Sequence, residues 1–247
     1  MDLSNNKVIV WFETLFETLF ETVWSNRTYL LGTIAGAFLL VVGFVGYRYY
    51  DSWAQAGAHK AFVAALKYHD AAVTGKKVSA NHNGIEFETD QEKWTKTADV
   101  FKQGYNNHRR SGLASMFQAY YADALARLGK HDEAVQALDD AISIMPQKDM
   151  KDFYAVKRAL LKIDSTKQTV QQEGIAELRK IADDASHFAN EAGLFYLGYY
   201  FWTQKDFDQA RNYWQQLMVK YGMKEEKQQS GYADIVRSKL KLISADW

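Results

Sequence analysis

Residues 28–47 read TYLLGTIAGAFLLVVGFVGY, twenty consecutive residues without a charge. As a helix rising 1.5 Å per residue, this run is about 30 Å long, the thickness of a bilayer's hydrocarbon layer. Arg27 and Arg48 stop it at each end. Tyr29, Tyr47, Tyr49 and Tyr50 stand where an aromatic belt is expected, with Trp24 and Trp53 just outside. The alternative is a buried helix of a soluble domain, but such helices rarely run this long without charge. A cleaved signal peptide fits poorly. The run starts behind an acidic segment, and no small-x-small site closes it. Residues 28–50 are therefore expected to form a single transmembrane helix. Charge does not orient it: Lys7 and Arg27 precede it, while Arg48, Lys60 and Lys67 follow. Gly32 and Gly36 form a GxxxG pair, and Gly43 lies on the same helical face one heptad after Gly36. These three are candidate contacts for another membrane helix, and self-assembly is one use of them.

Ahead of the run, residues 1–27 form an arm. Its segment 12–23, FETLFETLFETV, repeats a four-residue unit almost three times. On a helix, Phe12, Leu15, Phe16, Leu19, Phe20 and Val23 line one side, and Glu13, Glu17 and Glu21 follow the other. Two readings stay open: burial in the membrane interface, or pairing with a partner helix. The acidic side does not favour anionic lipid.

The remaining residues, 51–247, read as a series of helices separated by turns, so the fold class is all-α. Helices are expected over 51–74 and 91–106. Between them, 75–90 is rich in turn residues, with a short extended piece at Ile85 to Phe87. Residues 115–146 follow the tetratricopeptide (TPR) grammar of two antiparallel helices per 34-residue unit. One helix ends near Leu128, Gly129 permits the turn, and a second starts at Asp132 and closes at Pro146, the only proline in the chain. Ala134, Leu138, Ala141 and Ile142 are expected to face inward. Residues 191–222 repeat the pattern through Leu194, Leu197, Gly198, Phe201, Ala210, Trp214 and Leu217. The shift from Ala134 to Ala210 is 76 residues, whereas two perfect repeats give 68. A degenerate unit is therefore expected between them, with helices near 149–164 and 170–184. A last helix over about 228–243 would cap a short TPR-like α-solenoid.

Chemistry is excluded more than indicated. Thirty Lys and Arg balance thirty Asp and Glu, so no basic footprint for nucleic acid exists. Without cysteine, disulfides, thiol catalysis and Cys-based metal sites are ruled out. No HExxH, Walker or GxGxxG string occurs among the residues. His187 and Glu191 stand at i,i+4, which suits a local pair better than a metal site lacking a third ligand. No enzyme activity and no cofactor are expected. The 191–222 unit is rich in aromatics. Tyr199, Tyr200 and Trp202 are candidates for holding an apolar peptide, with packing between repeats as the competing role.

The membrane helix, its exit YRYYDSWAQAGAHKAFVAALKYHDAAVTGK, the stretch LARLGKHDEAVQALDDAI and the C-terminal repeats together resemble the YfgM family of ancillary translocon proteins. The likeness covers nearly all of 28–243. The FETL arm and the 75–90 insertion depart from the family pattern. The resemblance implies a cytoplasmic N-terminus, one crossing of a bacterial inner membrane and a periplasmic TPR-like domain. It also implies association with Sec translocon subunits and with a membrane-anchored chaperone of the prolyl-isomerase type.

Overall fold

The computed structural model describes residues 11, 13–18, 20–21, 27–75, 84–222 and 231–245; the side chains of 27–35 and 244–245 are outside that description. Contacts divide the chain into two compact units, 1–56 and 57–247.

The first unit holds helix α1, whose described residues fall within 11–21, and the start of helix α2, Arg27–His69. The helix expected to begin at 51 is the continuation of the one that carries the apolar run. No proline interrupts that stretch, and a shift from apolar to polar side chains does not by itself stop a helix. Phe38, Leu39, Leu40, Val41, Val42, Phe44 and Val45 are each at least half exposed. At 100° per residue they point in every direction around the axis. Among the described residues, no helix is long and apolar enough to cross a membrane.

The second unit is an array of antiparallel helices in which sequence neighbours pack on one another. It runs from the end of α2 through α3 (Asp90–Asn107), α4 (Ala114–Arg127), α5 (His131–Ile144), α6 (Lys148–Ile163), α7 (Gln168–Asp183), α8 (Asn190–Thr203), α9 (Phe207–Tyr221) and α10 (Gly231–Ala245). The expected degenerate unit is the hairpin α6–α7. Between α2 and α3, strand β1 (Ala72–Val73) pairs in parallel with β2 (Glu86–Phe87), which places the extended piece expected at 85–87. Residues 76–83 of the turn-rich stretch lie outside the described residues.

Burial follows the helical grammar. Ala134, Leu138 and Ala141 on α5 are buried, as are Leu194, Leu197, Phe201, Ala210, Trp214 and Leu217 on α8 and α9. Ile142 is only partly covered. The apolar interior is not one mass. Three clusters follow one another along the array: Phe101 and Phe117 with Phe62, then Leu125, Leu138 and Tyr154 with α4 and α5 alanines, then Leu178, Leu197, Trp214 and Val236. Ties bridge successive hairpins. Arg158 on α6 donates to Asp139 on α5 at 2.5 Å and to Glu177 on α7.

The two clear hairpins repeat down to single hydrogen bonds at the 76-residue shift. In α4–α5, Lys130 N–H donates to Leu125 O (2.9 Å) and Gly129 N–H to Ala126 O (3.0 Å). In α8–α9, Asp206 N–H donates to Phe201 O (2.9 Å) and Lys205 N–H to Trp202 O (3.0 Å). This is the six-to-one closure that ends a helix through one left-handed residue. That residue is Gly129 (φ 74°) in one hairpin and Lys205 (φ 62°) in the other. Glycine adopts this conformation freely, whereas a Cβ there is strained. Lys205→Gly is therefore expected to raise stability by roughly 0.5–1 kcal/mol, and Gly129→Ala to lower it by about 1 kcal/mol. Urea denaturation of both variants checks the opposite signs.

A side-chain-sized cavity on the face of α4 and α6

Helix α4 carries Ala119, Ala122 and Ala126 at helical spacing, facing Leu160 and Leu161 on α6 and Leu138 on α5. Small side chains let helices approach, but here the facing leucines do not fill the space the three alanines leave. A cavity of about 180 Å³ remains, with Asp123, Lys157 and Asp164 as its charged lining. Ligand pockets typically start near 300 Å³, so this volume suits one apolar side chain rather than a small-molecule cofactor.

Aromatic and charged groups surround it. Lys157 Nζ lies 5.3 Å from the ring centroid of Phe153 and 5.4 Å from that of Tyr154. Phe153 is half exposed. Beyond Asp123, His69 Nε2 stands 3.5 Å from Asp123 Oδ2, and its Nδ1 stands 2.8 Å from Asp70 Oδ1. The imidazole is edge-on to both Trp94 and Tyr120, and the Arg127 guanidinium lies over the Trp94 ring at 5.3 Å. The surface thus offers an apolar hole set among fixed charges of both signs. It contains no nucleophile–base pair, and no cluster able to hold a metal ion occurs among the described residues.

The aromatic residues singled out by sequence behave differently from one another. Tyr199 and Trp202 share a face of α8, with ring centroids 5.8 Å apart. Lys239 of α10 places its ammonium 3.5 Å from the Trp202 centroid and 5.5 Å from that of Tyr199. Tyr199 remains 42% exposed; Trp202 is half-buried against the core. Tyr200 points well away from Trp202 around the helix, stands edge-on to Phe201 and packs on the same core. The three do not form one patch: Tyr199 and Trp202 make a pair under a lysine, and Tyr200 joins the packing. Gly36 and Gly43 both lie in α2 with open space where a Cβ would stand. Gly32 is in the same helix, and its surroundings lie outside the described residues. The suggested His187–Glu191 pair is not formed on one helix, because α8 starts at Asn190. His187 instead accepts from Ala189 N–H and turns its Nε2 to Asp152 Oδ1 at 3.3 Å.

Sequence reasoning missed the α4–α6 cavity. Its signal was present in Ala119, Ala122 and Ala126, which the repeat grammar reads only as close helix approach.

Two phenols are held neutral beyond the ordinary range. Burial, then Tyr120 and Asp123, push Tyr154 up to about 12, and burial, then Tyr196 and Glu191, push Tyr232 up to about 12, against an ordinary 10.0. Between about pH 10 and about 12 the folded chain keeps protons that the unfolded chain has released, so stability falls as pH rises through that window. Tyrosinate absorbance during titration should show a late phase that shrinks in Tyr154→Phe and in Tyr232→Phe. A single phase common to all tyrosines would contradict the burial argument.

Fold and site define a helical-hairpin repeat protein with a side-chain-sized apolar cavity on one face. No model of a known protein family matches the chain, and no curated protein sequence matches it significantly.

Proposed function

We propose that the chain is a membrane-anchored, TPR-like protein-binding subunit. In this reading it works beside the Sec translocon and a periplasmic prolyl-isomerase-type chaperone, assisting export or folding of secreted proteins. The observation that carries the anchor is the all-round exposure of apolar side chains from Phe38 to Val45. A helix apolar on every side needs an apolar surrounding, supplied either by a protein core or by lipid. The uncharged run 28–47 lies within α2 and covers about 30 Å at 1.5 Å per residue, the thickness of the hydrocarbon layer. The binding role is supported by the hairpin array and by the cavity between α4 and α6. The named partners and the periplasmic side rest on the family resemblance.

Crosslinking in native membranes tests the partners. Adducts with a translocon subunit or the chaperone are expected. Ala126→Leu, which fills the cavity, should reduce their yield several-fold while leaving the thermal midpoint within a few degrees. Absence of any such adduct under conditions that preserve the complex defeats the reading. A compartment reporter fused after Trp247 tests the orientation, and a cytoplasmic signal would reverse it.

A second reading is favoured by one observation. Gly36 and Gly43 leave a smooth, open strip on α2, which suits close approach of another membrane helix. The chain would then be a scaffold of an envelope complex or would self-assemble. Gly32→Leu combined with Gly36→Leu should lower the particle mass in detergent if that strip is the contact, and an unchanged mass removes it.

A further inference from the structure

We propose that helix α1 is a second lipid-binding element, lying along the surface of an electrically neutral leaflet with its apolar side down. This rests on the reading that 28–47 spans the membrane. With Trp11 set at zero and 100° per residue, Trp11, Leu15, Phe16 and Phe20 occupy an arc from 0 to about 180°. Glu13, Glu17 and Glu21 fall between about 200 and 280°, and Thr14 and Thr18 between about 300 and 340°. The helix is thus divided into three sectors, and the apolar one takes half of its circumference.

That width selects the occupant. A partner helix is met by a stripe of roughly 100° and would leave Trp11 or Phe20 in water at the edges of the arc. A lipid interface covers the whole half. Phe16 is 73% exposed, Trp11 and Phe20 are each 58% exposed, and Leu15 is 38% exposed. The threonine sector borders the apolar one. There, Thr18 Oγ1 donates to Thr14 O at 2.7 Å, so this hydroxyl reaches the headgroup boundary with its proton already bonded. The polar side carries three carboxylates and no Lys or Arg within 11–21. Anionic headgroups would repel it, and zwitterionic ones would not. In the sequence, five residues lie between Glu21 and Arg27, where α2 starts. Tethering therefore raises its effective concentration at the surface, and modest intrinsic affinity suffices.

The absence of cysteine permits a clean test on the full-length chain. Phe16→Cys, Glu17→Cys and Phe38→Cys are each nitroxide-labelled in phosphatidylcholine vesicles, and collisions with oxygen and with a water-soluble nickel chelate are compared. The ratio of oxygen to nickel collisions should be at least about threefold higher at 16 than at 17, as interfacial burial of one face requires. An equimolar mixture with phosphatidylglycerol at low salt should shrink that contrast, and added salt should restore it. Equal access at 16 and 17 overturns the proposal, as does shielding of position 16 from both agents, the mark of a protein partner. Position 38 reads the span separately. Water access there sinks the spanning reading, whereas lipid exposure at 38 with equal access at 16 and 17 sinks the α1 proposal alone.

Discussion

Trp214→Ala should lower the stability of the C-terminal hairpins by about 3–5 kcal/mol, the usual cost of truncating a large buried aromatic. Trp214 is fully buried at the centre of the last cluster. Its indole N–H donates to Phe195 O at 3.2 Å, so truncation opens a void and also removes a second bond to a carbonyl that keeps its partner within α8. The opposite wall shows how tightly the site is closed. A Cβ on Gly198 would overlap the Trp214 indole, so Gly198→Ala forces the ring to move and should also destabilise. Chemical denaturation followed by tryptophan fluorescence and by circular dichroism measures both variants. A loss below about 1 kcal/mol for Trp214→Ala would mean that the hairpin repacks around the void.

Asn190→Ala should cost about 2–4 kcal/mol, because one buried side chain bonds groups at the ends of both α7 and α9. Asn190 is 1% exposed. Its amide nitrogen donates its two hydrogens to Ala182 O (2.7 Å) and Asp184 O (3.0 Å), with Ile181 O sharing one of them at 3.3 Å. Ile181 and Ala182 belong to the last turn of α7, whose carbonyls have no helical partner, whereas Asp184 O also accepts from His187 N–H at 3.0 Å. Its amide oxygen accepts from Lys220 Nζ (2.8 Å) and Tyr221 Oη (2.9 Å) at the end of α9. Asn190→Asp is the discriminating variant. It keeps both acceptor bonds but sets a carboxylate oxygen against the facing carbonyls, so it should be destabilised relative to wild type although its volume is unchanged. An alanine variant as stable as wild type would show that water replaces these bonds.

Asn190 also marks where the sequence stops being legible. Apolar periodicity announced the helices well: the expected 91–106, 149–164 and 170–184 are found as Asp90–Asn107, Lys148–Ile163 and Gln168–Asp183. The 76-residue shift implies an intermediate hairpin, and α6–α7 is that hairpin. Periodicity works because each helix must bury one stripe, and that stripe is written locally. A polar residue that ties α7, α8 and α9 together is written nowhere locally, since its partners lie up to 31 positions away. The same holds for the α4–α6 cavity. Alanines 119, 122 and 126 are visible, but whether their neighbours fill the space depends on the rotation of α6. Tyr199, Tyr200 and Trp202 stand out in the sequence as an aromatic group, but helical geometry turns each residue by 100° and sets Tyr200 apart from the other two. Lys239, which sits over two of them, comes from a different helix and carried no sequence signal.

The three successive apolar clusters set how the second unit comes apart. No central mass couples its two ends, so loss of one cluster removes only the support of its neighbour. Amide exchange should accordingly be graded along the array, with α10 opening well before α5. Loss of the last cluster would then leave the α3–α6 hairpins standing, so turnover could proceed stepwise from one end instead of all at once.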